Sequence, residues 1–167
     1  MFLKIEVEGL NEVRQLLGAS LLARIDRNLQ DALKTSALKV EGEAVNLASE
    51  SVYTGEFRLG ISAEFPNPYT AEIGSSAPHA PFVENDTRPH FPPLAAMADY
   101  AHLKLGLPYR AKGGKGKETA EQVGFLIARK ISRVGTKGKH IMERAITQEE
   151  DEIENTFIKG LEAAING

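Results

Sequence analysis

Cysteine is absent from all 167 residues, which excludes disulfides and thiolate metal sites and fits a chain made in a reducing cytoplasm. No apolar run approaches the roughly 18 residues a membrane span needs, so no membrane partner is expected. The first eight residues alternate apolar with charged side chains and lack the basic flank and apolar block of a secretory leader. No G-x-S-x-G elbow occurs, and no Ser/His/Asp set is suggested. The stretch Lys112-Gly-Gly-Lys-Gly-Lys117 has the composition of a phosphate loop but lacks its spacing and follows a helix rather than a strand. No internal repeat and no long disordered tract is visible. What remains is ordinary for a soluble globular chain, 42% apolar and 26% charged, and a single domain over residues 1–167 is expected.

The net charge of −3 conceals a segregation. Residues 104–140 carry ten Lys and Arg against Glu118 and Glu121, a local balance of +8 that leaves −11 for the rest of the chain. Such separation suits an acidic partner surface, DNA or a second copy of the same chain. The acidic run Glu149-Glu150-Asp151-Glu152 with Glu154 reads as solvated helix surface or as the partner of a neighbour's basic loop. Stacking of bases would need interleaved aromatics, and the basic region offers only Tyr109 and Phe125, the latter within an apolar run.

Periodicity predicts an α+β fold: a small, mostly antiparallel sheet packed on one long helix, with further helices after it. Leu3, Ile5 and Val7 alternate with charged residues as in a half-buried strand. A short helix follows at residues 11–17, and a long one at 20–49 with Leu22, Ile25, Leu29, Ala32, Ser36, Val40, Ala44 and Leu47 on one stripe. Phe57, Leu59, Ile61, Ala63 and Phe65 alternate over 56–65, so this segment is predicted as a strand with those residues facing the long helix. Pro66-Asn67-Pro68 turns the chain into a second strand at Tyr69, Ala71 and Ile73. A third short strand is expected at 80–85. Pro92-Pro93 open a helix that ends at Gly106. A flexible basic loop is expected at 108–117. A helix at 118–134 presents Val123, Leu126, Ile127 and Ile131, and a last helix at 141–165 turns Ile146, Ile153, Phe157, Leu161 and Ala164 inward.

Residues 79–93 form the most distinctive segment. Pro78, Pro81, Pro89, Pro92 and Pro93 fix φ and remove donors, which argues against a helix through it. Phe82, Val83 and Phe91 are apolar anchors in a polar loop, the pattern of a rigid segment that sets one surface against another. His79, Glu84, Asp86 and His90 are also metal-type side chains within twelve residues, though no His-x-x-x-His spacing gathers them.

In order along the chain, several segments resemble the minor tail or tail-completion (neck) proteins of long-tailed bacteriophages and prophages. They are Thr54-Gly-Glu-Phe-Arg-Leu-Gly-Ile61, Phe82-Val-Glu-Asn-Asp-Thr-Arg-Pro-His-Phe-Pro-Pro93, Ala128-Arg-Lys-Ile131 and Gly135-Thr-Lys-Gly-Lys139. Two departures stand out. Asn85-Asp86 stands where an aromatic and a glycine are usual, and Asn and Asp tolerate left-handed geometry best after Gly. Tyr53 replaces a common Asp before Thr-Gly. The resemblance implies a non-enzymatic virion protein with no cofactor and no metal. It would be made in the bacterial host cytoplasm and reside in the tail or neck. It would complete the tail end and help join tail to head as a homo-oligomeric ring, against terminator, connector and tail-tube proteins.

On that reading the interface candidates are Phe82, Glu84, Arg88, His90 and Phe91, with Arg110, Lys112, Lys115, Lys117, Lys137 and Lys139 in the basic turns. Two alternatives stay open. One is a DNA-contacting protein that uses the 104–140 region, including contact with packaged DNA. The other is a metal-dependent hydrolase built on His79, Glu84, Asp86 and His90.

Overall fold

A computed structural model describes residues 2–8, 18–49, 55–109 and 118–166. The helix expected at 11–17, the Tyr53-Thr54 turn and residues 110–117 of the basic loop lie outside the described residues. The architecture is α+β, a three-stranded antiparallel sheet with a long helix and several helices after it. By internal packing the chain divides into two compact units, residues 1–80 with 140–167, and residues 81–139.

The first unit contains the sheet. Strand β1 (Phe2–Glu6) is half-buried on alternate residues, as its apolar/charged alternation demands. Helix α1 (Ala19–Ser49) follows, then a single helical turn α2 (Glu56–Leu59) and the hairpin β2 (Ile61–Asn67) and β3 (Thr70–Ser75). The strand order is β1-β3-β2, both pairs antiparallel, with Leu3 opposite Ile73 and Ala63 opposite Ile73 from the other side. Strand β3 is therefore central, and nearly all of its residues are buried. The hairpin loop is closed by Asn67, whose side-chain oxygen accepts from the Tyr69 N–H at 2.9 Å. The register shifts between Glu64 and Asn67. Pro66 lies there on an edge strand, where its missing donor breaks no ladder bond. The open edge of β2 is partly satisfied by α1, because Glu41 accepts from the Ala63 N–H at 3.1 Å.

Helix α1 buries the expected stripe from Ile25 on, with Leu22 half-buried, and more: Leu33, Ala37 and Ala48 join Ile25, Leu29, Ala32, Ser36, Val40, Ala44 and Leu47. The stripe is wide because α1 is covered twice, by the sheet and by the last helix, α6 (Ile141–Asn166). Small residues set the α1–α6 spacing. A Cβ on Gly160 would stand 3.3 Å from the Asn28 carbonyl, and the Asn28 amide donates to the Gly160 carbonyl at 2.9 Å. Ile25, Leu29 and Ala164 form a buried cluster with Phe157 against it. On the outer side Lys39 donates to Glu152 at 2.5 Å. That hydrogen bond holds the Glu152 carboxyl below its ordinary range. Its small contribution is present above the unfolded carboxyl pKa and is lost as pH falls through the lowered folded value.

Three sequence expectations are corrected in this unit. Residues 56–59 are helical rather than extended. Gly55 takes φ 83° and the Leu59 N–H bonds to the Gly55 carbonyl at 2.9 Å. Phe57 is buried while Leu59 is 78% exposed, since residues two apart point about 200° apart on a helix. The strand pattern begins only at Ile61. Phe65, placed inward by alternation, is exposed on the edge strand. On α6, Leu161 is also exposed, and the inward row is Phe157, Gly160 and Ala164.

The chain enters the second unit through one helical turn, α3 (Ala80–Glu84), in place of the expected strand. Pro81 sits in its first turn, where a missing N–H costs nothing, and the Asn85 N–H bonds to the Pro81 carbonyl at 3.0 Å. Helix α4 (Leu94–Leu105) starts after Pro93 and stops at Gly106, which is left-handed. Helix α5 (Ala120–Val134) starts at Thr119 with a complete capping box: Gln122 N–H to the Thr119 hydroxyl, and Thr119 N–H to the Gln122 side chain.

The α4–α5 pair is built on small residues. Ala98 and Ala101 of α4 meet Ala120, Gly124 and Ala128 of α5, all buried. A Cβ on Gly124 would stand 2.6 Å from the Ala98 nitrogen, so only glycine allows this approach. Of the apolar residues grouped on one side of α5 by periodicity, Val123, Ile127 and Ile131 are half-buried and Leu126 is 56% exposed. Among the described residues of this unit the buried apolar side chains are alanines and Pro92, and the large ones are half-buried, as Met97, Ile127 and Ile131 are, or exposed.

Candidate functional site

The two motifs about fifty residues apart, 82–93 and 135–139, form one clasp in the second unit. The Thr87 N–H donates to the Thr136 carbonyl at 2.9 Å, and the Thr136 N–H donates to the Thr87 hydroxyl at 2.9 Å. The two threonine hydroxyls share a bond of 2.8 Å. The Gly138 N–H donates to Asp86 at 2.8 Å, and the Lys139 N–H donates to the Val83 carbonyl at 2.7 Å.

This contact explains the glycines of Gly135-Thr-Lys-Gly-Lys139. A Cβ on Gly135, at φ 71°, would stand 2.0 Å from the Thr87 carbonyl oxygen, and one on Gly138 would stand 2.2 Å from that of Glu84. The turn is thus shaped to receive residues 84–88. Neither Asn85 nor Asp86 is left-handed, since His140 alone among the described non-glycine residues has positive φ. Asp86 serves instead as the acceptor for Gly138, which is what its carboxylate adds at that position.

The clasp displays some candidate residues and hides another. Arg88, His90, Lys137 and Lys139 are exposed. The His90 ring nitrogen Nδ1 lies 2.9 Å from the Arg88 carbonyl, which folds the Arg-Pro-His corner on itself. Phe82 is 65% exposed, and Phe91 is exposed beside Phe125 with ring centroids 6.3 Å apart. Glu84 is 4% exposed and does not reach the surface. Arg110, Lys112, Lys115 and Lys117 lie outside the described residues.

Beside the clasp runs an open cleft of about 820 Å³, floored by Met97 and Tyr100 of α4 and by Ile127, Ile131 and Val134 of α5. Lys130, Lys137 and Lys139 stand at its rim. Sequence periodicity does not reveal this cleft, because it groups the large apolar residues of α5 on one side without saying what covers them. The signal lies in the small-residue spacing Ala120, Gly124, Ala128, which marks the seam where α4 packs.

The metal-type side chains do not converge. His79 stands 3.7 Å from Glu56, Asp86 binds Gly138, His90 turns to Arg88, and Glu84 is buried. Among the described residues no three His, Asp or Glu side chains are grouped to hold a metal ion. Nor, among them, is any helix long and apolar enough to cross a membrane. The arrangement offers apolar area rimmed by cations, which suits binding. Comparison with protein-family models, with curated proteins and with solved structures returned no match.

Proposed function

We propose that this chain is a non-enzymatic virion assembly protein of a bacteriophage or prophage, which completes the tail end and helps join tail to head as a ring. The observation that carries the reading is the surface of residues 81–139. Small residues fill the interior, and Phe82, Phe91, Leu103, Phe125, Leu126 and Val134 are exposed around lysines and arginines. Exposed apolar area of this kind marks a surface meant to be covered by another protein. The motif resemblance supports the same reading, since two of its pieces, 82–93 and 135–139, are hydrogen-bonded in one clasp. The partners are neighbouring copies and the terminator, connector and tail-tube proteins, met by surface complementarity.

The test is a phage carrying Arg88→Glu. Arg88 is exposed and suited to bidentate pairing with a carboxylate. The mutant should accumulate separate filled heads and tails while the purified subunit keeps its circular dichroism. Normal yields of joined particles would sink the assignment.

A second reading, contact with DNA, is favoured by one feature: Arg129, Lys130 and Arg133 are exposed together on α5. It requires duplex affinity that falls steeply with salt.

A further inference from the structure

We infer that the apolar cleft of the second unit receives the C-terminal half of α6 from a second copy of this chain, in a head-to-tail contact. The inference deepens the ring reading. It rests on that reading for closure of the ring and not for the contact itself.

Helix α6 carries two faces. One holds Phe157, Gly160 and Ala164 and packs on α1. The other holds Asp151, Glu154, Ile158, Leu161, Glu162 and Ile165, every one exposed. At about 100° per residue these six fall within an arc of about 100°, the width of a normal packing stripe. Its apolar members lie at the C-terminal end and its acids at the N-terminal end and the flank. A helix face with three large exposed aliphatics is out of place in water unless something covers it.

The receiving surface is its counterpart in shape and sign. Ile127, Ile131 and Val134 with Met97 and Tyr100 form the apolar floor, and Lys130, Lys137 and Lys139 line the rim. The aliphatic stretch of residues 158–165 and the cleft-lining stretch of α5, residues 127–134, each cover eight residues, about 12 Å of helix. The chain-wide segregation of charge points the same way. The basic excess of residues 104–140 and the acidic run of 149–154 sit on different units, so one copy presents to the next the sign it needs.

The two surfaces differ, so each copy can give one and receive the other. Such a heterologous contact repeats from copy to copy and closes into a ring when the rotation allows.

A chain without cysteine makes the test clean. Lys130→Cys and Ile158→Cys, both at exposed positions, are prepared as separate proteins. Under mild oxidation the mixture should give a disulfide-linked dimer, and neither variant alone should do so. The double variant should give a ladder that stops at the ring size. High salt should reduce the yield, because the rim pairs are screened. Asp151→Lys/Glu154→Lys should weaken self-association about tenfold or more, and a Lys130→Glu/Lys137→Glu partner should restore it.

Three results overturn the inference: no cross-link in the mixture, equal cross-linking of each variant with itself, or a double variant that closes only within one monomer. The two readings fail separately. Intact cross-linking with normal head–tail joining in the Arg88→Glu phage removes the virion role and leaves the contact standing.

Discussion

At the scale of single residues, the glycines divide into those that fill a need and those that do not. Gly135 and Gly138 lie against the backbone of residues 84–88, so close that a methyl group would overlap a carbonyl oxygen. Gly138→Ala should therefore open the Thr87–Thr136 clasp and cost roughly 2 kcal/mol or more, from overlap that the backbone cannot relieve. Gly42, in the middle of α1, has no positive φ, and a methyl group there would meet nothing within 4 Å. Gly42→Ala should instead stabilise by about 0.5–1 kcal/mol, because alanine loses less backbone freedom in a helix. Thermal unfolding of the two variants checks the pair. Equal shifts of the same sign would remove the steric account of the clasp. The types of residue in this clasp are legible in the sequence, and their pairing is not. Thr87 and Thr136 are distant in the chain, and nothing local in either motif names the other.

Among the elements, legibility follows length and periodicity. Helix α1 shows its stripe over many turns, so its three/four spacing cannot be mistaken. The β2–β3 hairpin is legible as a hairpin, with Asn67 and the two prolines marking its turn, but not in where its first strand begins. Short elements mislead for a physical reason. Phe57 and Leu59 alternate in the same way whether the segment is a strand or one turn of helix, and the left-handed Gly55 decides for the turn. At α3 the prolines argue against a helix, yet a helix tolerates proline in its first turn. The helical turn at 56–59 has a measurable consequence. Phe57→Ala should cost about 3–5 kcal/mol, because the Phe57 side chain is buried. Leu59→Ala should stay within about 0.5 kcal/mol, as expected for an exposed side chain. Denaturant midpoints in urea measure both. A Leu59→Ala loss as large as that of Phe57→Ala would return residues 56–59 to the sheet.

For the whole molecule, the α+β class is readable in the sequence, because strands precede most of the helices and each has its own period. The surface is harder to read. Helical spacing locates apolar residues but does not say which are covered, and on α5 the alanine and glycine row takes the interior. The pairing of α1 with α6 also bears on how the chain is made. One side of the stripe on residues 19–49 is covered by residues 141–166, and residues 81–139 belong to another unit. A chain growing on the ribosome must therefore carry that side uncovered until its last helix has emerged. Long-range closure of this kind is slow and leaves apolar surface exposed meanwhile. On stalled nascent chains of increasing length, α1 should remain open to protease until residues beyond Phe157 clear the exit tunnel, and protection before α6 is made would contradict this order. Translation, in this protein, works against its own first helix, and a holding chaperone has its clearest target there.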